Sequence, residues 1–293
     1  MDLSTFLIQC LNSLQYGLLL FLVASGLTLI FGIMGVINLA HGSFYMIGAY
    51  MAWAPAPIVG STFGGGFFAT LFIGTALAVL LGYVLEWVFF SFLYEREHLQ
   101  QVLMTYGLIL VFEELRSLLV GDEVHGIKPP DILSGSLPLG DMMTYPIYRL
   151  FISGVCLLLA LGMYLVFTRT RLGMMVRAGS TNREMVQSLG IDIKFLYRVV
   201  FAAGVALAVV AGMVAAPVAS VYPGMGNTVL IICFVVVVIG GIGSIRGALV
   251  ASLLIGVVDT FGTVLLPQAS GVLVYVLMAL ILLWRPDGLF KAG

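Results

Sequence analysis

The hydrophobic positions of this chain run in long, nearly unbroken stretches, and polar residues cluster in the short segments between them. A strand crossing a membrane would alternate apolar and polar residues over about 10 positions, whereas a helix needs roughly 20 consecutive apolar residues. Because lipid offers no partners to backbone polar groups, continuous apolar runs of this length indicate membrane-spanning α-helices. We predict spans at residues 6–33, 36–53, 67–90, 102–120, 148–167, 199–220, 229–241, 247–265 and 272–284.

Two of these segments are poor candidates for a complete crossing. Residues 36–53 contain Asn38 and His41, and residues 229–241 are short and end in two glycines. A broken or re-entrant helix is tolerated in a membrane only where it is buried in protein or lines a cavity. We therefore expect an all-α polytopic membrane protein with eight or nine transmembrane helices, one or two of them broken or re-entrant.

The composition supports a lipid environment. Of the residues, 61% are hydrophobic and 9% are charged, whereas a soluble domain carries about 25% charged residues. The formal net charge is −1, which gives no reason to expect nucleic acid as a partner. The three cysteines lie inside apolar runs without the spacing of a metal site or disulfide, so packing explains them.

The basic residues predict how the chain is oriented. They concentrate in one loop, at about residues 168–198, and such loops lie on the cytoplasmic side of a membrane. Counting spans from there makes residues 121–147 an external loop and places the N-terminus outside. The first apolar run lacks a basic flank and is expected to be a retained span. We expect one transmembrane domain over residues 1–293. The basic residues of the cytoplasmic loop are Arg169, Arg171, Arg177, Arg183, Lys194 and Arg198.

The same loop contains the pattern of a short capped helix. Ser180, Thr181 or Asn182 can cap its start, and Gly190 follows its end. An apolar side on such a helix suits docking into the groove of a partner, although a solvated connector explains the residues equally well. The apolar side would hold Met185, Val186 and Leu189, and the other sides Arg183, Glu184 and Gln187.

Polar and small residues within the apolar runs form the second group of candidates. Such residues line a transport pathway, or they join helices through hydrogen bonds and close packing. Glu113 can pair with Arg116 at i,i+3, which favours a structural role. Glu86 is expected to extend to the inner membrane surface. The pathway candidates are Thr28, Asn38, His41, Gly42, Glu113, Glu114 and Asp259.

Several motifs together resemble one family. The run GLTLIFGIMGVINLAHGSFYMIGAY resembles the N-terminal signature of LivH-type permeases of branched-chain amino acid ABC importers. The segment RTRLGMMVRAGSTNREMVQSLGID is similar to the coupling loop of that family. The stretch VVVVIGGIGSIRGALVASLLIG and the closing RPDGLF are similar as well, so the resemblance covers most of the chain in order.

The resemblance implies a permease subunit that carries hydrophobic amino acids across a bacterial inner membrane by alternating access. A second homologous permease subunit would complete the pore, two cytoplasmic ATPase subunits would bind ATP and Mg, and an external, periplasmic binding protein would deliver the substrate. The helix around Ser180–Gly190 would be the coupling helix in an ATPase groove. No cofactor is expected in this chain, which contains no G-x-x-x-x-G-K-[ST] phosphate-binding motif. It is not expected to be an enzyme.

Two alternatives remain open. Glu113 and Glu114 stand where the family pattern implies neutral residues, so a different small substrate is possible: other amino acids, amides, urea or aromatic acids. The broken spans and the acids within them also fit a secondary transporter or channel that works alone.

Overall fold

The computed structural model describes residues 3–53, 66–94, 96–138 and 144–290. These residues form eleven α-helices, two 3₁₀ turns at Phe90–Phe92 and Asp131–Leu133, and an antiparallel pair of short strands, β1 (Ser136–Pro138) and β2 (Thr144–Pro146). The helices are α1 (Leu3–Met34), α2 (His41–Trp53), α3 (Gly66–Val88), α4 (His98–Val120), α5 (Ile147–Arg169), α6 (Arg171–Thr181), α7 (Arg183–Ser188), α8 (Ile193–Ala219), α9 (Met225–Gly240), α10 (Ile245–Leu265) and α11 (Ser270–Trp284).

Five of the described helices are long and apolar enough to cross a membrane: α1, α3 with the turn after it, α5, α8 and α10. The shorter apolar helices α9 and α11 have 16 and 15 residues, and α2 has 13. At 1.5 Å per residue these are about 20–24 Å long, less than the roughly 30 Å of the hydrocarbon core. The all-α polytopic prediction is confirmed in this coarser form, and the count of eight or nine spans stays a prediction.

Two predicted boundaries were wrong for identifiable reasons. The segment predicted to begin at residue 36 becomes helical only at His41, because Gly35 takes a left-handed φ of 66° and ends α1. Helix α8 begins at Ile193 rather than at residue 199. Its start is set by Asp192, whose side chain accepts a hydrogen bond from the Phe195 N–H at 3.1 Å.

Helices α1 and α8 occupy the centre of the bundle. In their most apolar 18-residue windows, 89% of α1 and 83% of α8 is buried, against 17% of α5 and 28% of α3. Helix α10 packs along α1, while α2 and α3 pack along α8. The apolar outward faces of α3, α4, α5 and α11 are suited to lipid or to neighbouring subunits.

Glycines set the distance between these central helices. A Cβ added at Gly26 in α1 would lie 2.6 Å from the Gly204 carbonyl oxygen in α8. Gly48 in α2 contacts the Val209 backbone in the same way, and Gly212 in α8 contacts the backbone of Tyr45. Lipid supplies no hydrophobic driving force between helices, so close approach of this kind stabilises their association.

The segment after α4 is tied to two other helix ends. His125 and Val221 exchange backbone hydrogen bonds of 2.8 Å. The His125 ring stacks on Trp53, with 3.7 Å between ring centroids. The end of α2, the segment after α4 and the loop after α8 therefore lie at one end of the bundle, as the predicted topology requires.

We expect Gly48→Ala to lower the free energy of unfolding by about 1–3 kcal/mol, because the added methyl meets the backbone of α8 rather than a movable side chain. Gly154→Ala in α5 is the matched control, since a Cβ there meets nothing within 4 Å. The control should leave stability unchanged or raise it by up to about 1 kcal/mol. Denaturant titration in detergent measures both, and equal effects of the two variants would contradict the close-packing explanation.

Candidate functional site

The basic loop forms the predicted short capped helix and a second helix before it. Helix α6 ends at Thr181, and Asn182 breaks the path with an extended φ of −152°. The Asn182 side chain accepts a hydrogen bond from the Met185 N–H at 3.0 Å and so caps α7. Gly190, with φ of 79°, follows the end of α7 as predicted. Ser180 and Thr181 belong to the last turn of α6, so Asn182 is the one of the three expected caps that starts this helix.

Helix α7 and the residue that follows it each expose a large apolar side chain. Met185 is 63% exposed and Leu189 74% exposed, whereas Val186 is 3% exposed and packs into the core. The predicted apolar side is therefore divided between the core and the surface. Gln187 is exposed, and so are Arg169, Arg171, Arg177 and Lys194 around the two helices. The side chains of Thr181, Arg183 and Glu184 lie outside the described part of the structure.

The break between α1 and α2 holds two fully buried polar side chains. The Oδ1 atom of Asn38 accepts a hydrogen bond from the Ala40 N–H at 3.1 Å, which closes the turn into α2. The Nε2 atom of His41 lies 2.9 Å from the Val23 carbonyl oxygen, so this nitrogen carries the hydrogen and donates it. Asn38 Nδ2 and His41 Nδ1 have no hydrogen-bond partner among the described residues.

Two further pathway candidates lie beside this break or in α1. Gly42 packs directly on the backbone of Gly226 at the start of α9. Thr28 is buried, and its hydroxyl donates to the Ala24 carbonyl oxygen one turn earlier at 2.7 Å. The Thr28 hydroxyl is thus satisfied within its own helix. Asn38 and His41 are the candidates whose polar atoms remain available at the break.

The three acidic pathway candidates, Glu113, Glu114 and Asp259, lie away from the break between α1 and α2. Glu113 pairs with Arg116 at 3.3 Å, and Arg116 also contacts Asp122 at 2.8 Å and donates to the Gly121 carbonyl oxygen at 2.7 Å. The hydrogen bond from Arg116 lowers the pKa of the Asp122 carboxyl. Glu114 is exposed, and Asp259 is partly buried in α10. No hydrogen bond or ion pair joins any of the three acidic candidates to Asn38 or His41 among the described residues.

One buried acid was misjudged from the sequence. Glu86 was expected to extend to the membrane surface, but its side chain is 0% exposed. Its Oε2 atom lies 3.3 Å from Arg198 Nε, and its Oε1 atom accepts a hydrogen bond from the Tyr94 hydroxyl. The turn after α3 brings Tyr94 over the carboxylate. Arg198 is distant from Glu86 in the sequence and belongs to the basic loop, so the pattern of residues gives no hint of this pair.

Comparison with known proteins identifies the family. The model of the branched-chain amino acid transport system permease component matches residues 9–282. The chain belongs to this family. The permease BraD of Pseudomonas aeruginosa is 31% identical to it, covering 97% of the chain and 95% of BraD. LivH of Escherichia coli K12 is 28% identical, with 97% of the chain and 95% of LivH covered.

The resemblance extends to an archaeon. The probable branched-chain amino acid permease LivH of Methanocaldococcus jannaschii is 28% identical, with 95% of the chain and 90% of that relative covered. No solved structure matches the chain significantly. The predicted family is confirmed, and the chain is a multi-pass transport permease.

We expect His41→Phe to lower the free energy of unfolding by about 0.5–1.5 kcal/mol, because an aromatic ring still fills the site while the hydrogen bond to the Val23 carbonyl oxygen is lost. His98→Phe is the control, since His98 is exposed at the start of α4, and its effect should stay within about 0.5 kcal/mol. Denaturant titration in detergent compares the two. A wild-type value for His41→Phe would refute a stabilising role for this hydrogen bond.

Proposed function

We propose that the chain is a membrane-spanning subunit of an ATP-driven importer in the bacterial inner membrane, with eight or nine crossings. It would carry branched-chain or related hydrophobic amino acids by alternating access. Family membership supports the transport role, and the names of BraD and LivH support the substrate class. A second permease subunit, two cytoplasmic ATPases and an external binding protein would complete the importer.

The observation that carries the ATPase partnership is the exposed apolar pair on α7. A short helix with a defined cap and two uncovered apolar side chains, Met185 and Leu189, matches the way helices dock into partner grooves. The exposed arginines around it favour the cytoplasmic side, where an ATPase would be found. Helix α7 is accordingly proposed as the coupling helix.

We expect the double substitution Met185→Glu and Leu189→Glu to abolish co-purification of the ATPase subunits, because two charges would replace the apolar contact at the centre of the interface. Ile132→Glu is the control: Ile132 is 82% exposed in the segment after α4, away from α7. It should leave ATPase binding unchanged. Undiminished ATPase binding by the double variant would exclude α7 as the docking helix.

The proposed pathway passes the break between α1 and α2. Polar groups buried in a membrane domain face the bundle interior or a pathway, and Asn38 and His41 each keep a polar atom without a partner among the described residues. A substrate ammonium or carboxylate group passing the break would find one donor and one acceptor there. The pathway would form there when the helices move.

Substrate choice is tested separately with the assembled importer. We expect ATP-dependent uptake of labelled leucine, isoleucine and valine into proteoliposomes, each blocked by an excess of the others. One methylene contributes only about 1–3 kcal/mol to discrimination, so all three should be carried within about 200-fold of one another. Uptake of an amide, urea or an aromatic acid in place of these three would reassign the substrate while leaving the importer mechanism in place.

A further inference from the structure

Glu86 and Arg198 form a buried ion pair between α3 and α8. The Glu86 side chain is 0% exposed and the Arg198 side chain 25% exposed, with 3.3 Å between Oε2 and Nε. A buried carboxylate is costly unless it is paired and hydrogen-bonded. The Tyr94 hydroxyl donates a hydrogen bond to Oε1, Arg198 supplies the opposite charge beside Oε2, and the Arg198 guanidinium also lies over the Tyr83 ring at 5.8 Å. Arg198 is thus the charged partner that joins the end of α3 to α8.

This pair lies close to the proposed coupling helix. After α7 the chain reaches Asp192, which caps α8, and Arg198 follows in the second turn of α8, about 9 Å farther along the helix axis. Ile193 and Leu196, in the intervening turn, are buried. A displacement of α7 would reach Arg198 through the short turn at residues 189–192, in which Gly190 and Ile191 donate backbone hydrogen bonds to Gln187 and Val186, and then along the first turns of α8.

Tyr94 and the turn that contains it connect Glu86 to the start of α4. Tyr94, which donates to Glu86, lies in the turn between α3 and α4. Gln101 in the first turn of α4 holds this turn by donating to the carbonyl oxygens of Leu93, at 3.0 Å, and Arg96, at 3.2 Å. One turn farther on, Thr105 lies within hydrogen-bond distance of the Ile37 carbonyl oxygen in the break between α1 and α2, at 3.4 Å.

A row of aromatic rings joins the same two places. Phe90, after α3, packs on Phe201 of α8 with 4.3 Å between ring centroids. Phe201 meets Phe44 edge-on at 6.2 Å, and Phe44 meets His41 edge-on at 6.2 Å. Two independent sets of packed contacts thus connect the surroundings of the ion pair with the break that holds Asn38 and His41.

We propose that Glu86 and Arg198 are a positioning pair that transmits the displacement of α7 to the break between α1 and α2. The proposal rests on the ATP-driven function proposed above. Neither residue touches the substrate; their task is to keep α3, the turn after it and α4 moving with α8. Loss of the pair would leave ATP hydrolysis running while fewer substrate molecules pass, because contiguous packing alone would not hold the two movements together.

The test uses the complete importer in proteoliposomes, with its binding protein and labelled leucine as the probe. The double variant Glu86→Gln with Arg198→Gln removes both charges and keeps polar side chains; the first change preserves the shape of the side chain, and the second shortens it. We expect the number of ATP molecules hydrolysed per leucine imported to rise about 2- to 30-fold. Arg198→Lys, which keeps the positive charge, should stay closer to the wild-type ratio than the double variant.

Two further variants separate transmission from simple stability. Tyr94→Phe keeps the ring and removes only the hydroxyl that donates to Glu86, so it should raise the ratio in the same direction by a smaller factor. Arg149→Gln is the control, because it breaks a 2.6 Å hydrogen bond between α5 and Asn12 of α1, away from the contacts described above. Its ratio should equal that of the wild type.

A wild-type ratio in the assembled double variant would overturn the proposal, and so would a ratio raised equally by Arg149→Gln. If the double variant does not assemble, Tyr94→Phe decides the matter, and a wild-type ratio in that variant overturns the proposal. Failure of the importer function itself would look different. The wild-type chain would then bind no ATPase and show no ATP-dependent uptake.

Discussion

Close contact between glycines and neighbouring backbones is the constraint on which this bundle depends. In lipid, helices gain little from hiding apolar surface, so van der Waals contact at short range must hold them together. Gly26 and Gly204 allow α1 to approach α8, and Gly48 and Gly212 do the same between α2 and α8. Because these contacts are made by backbone atoms, no side chain can move aside to make room for a larger residue at these positions.

The lipid environment also limits where polar side chains can lie in this bundle. The outer helices expose apolar side chains, so a buried polar atom must find its partner inside the bundle. Glu86 does so with Arg198 and Tyr94, and His41 does so with the Val23 carbonyl oxygen. Asn38 and His41 each also keep one buried polar atom without a partner among the described residues, and both lie where α1 gives way to α2.

Much of this arrangement could be predicted from the sequence, since long apolar runs leave helices as the solution and Asn182 and Gly190 are ordinary cap residues. The contacts between distant segments could not. The burial of Glu86 depends on a turn that folds Tyr94 back, and the inward side of α7 depends on where Val186 meets α8. The hydrophobic pattern shows which residues avoid water, but it does not show which distant segment packs against them.

Helix α8 itself also links the two candidate regions. It begins two residues past Ile191, at the end of the segment that holds α7, and continues unbroken to Ala219. Along its length it meets α1 at Gly204 and α2 at Val209 and Gly212. A tilt imposed at its first turn would therefore act on α1 and α2 through these contacts, while the Glu86–Arg198 pair would make the end of α3 follow α8. The glycine contacts that stabilise the fold would thus also carry a movement of α7 from the surface to the break between α1 and α2.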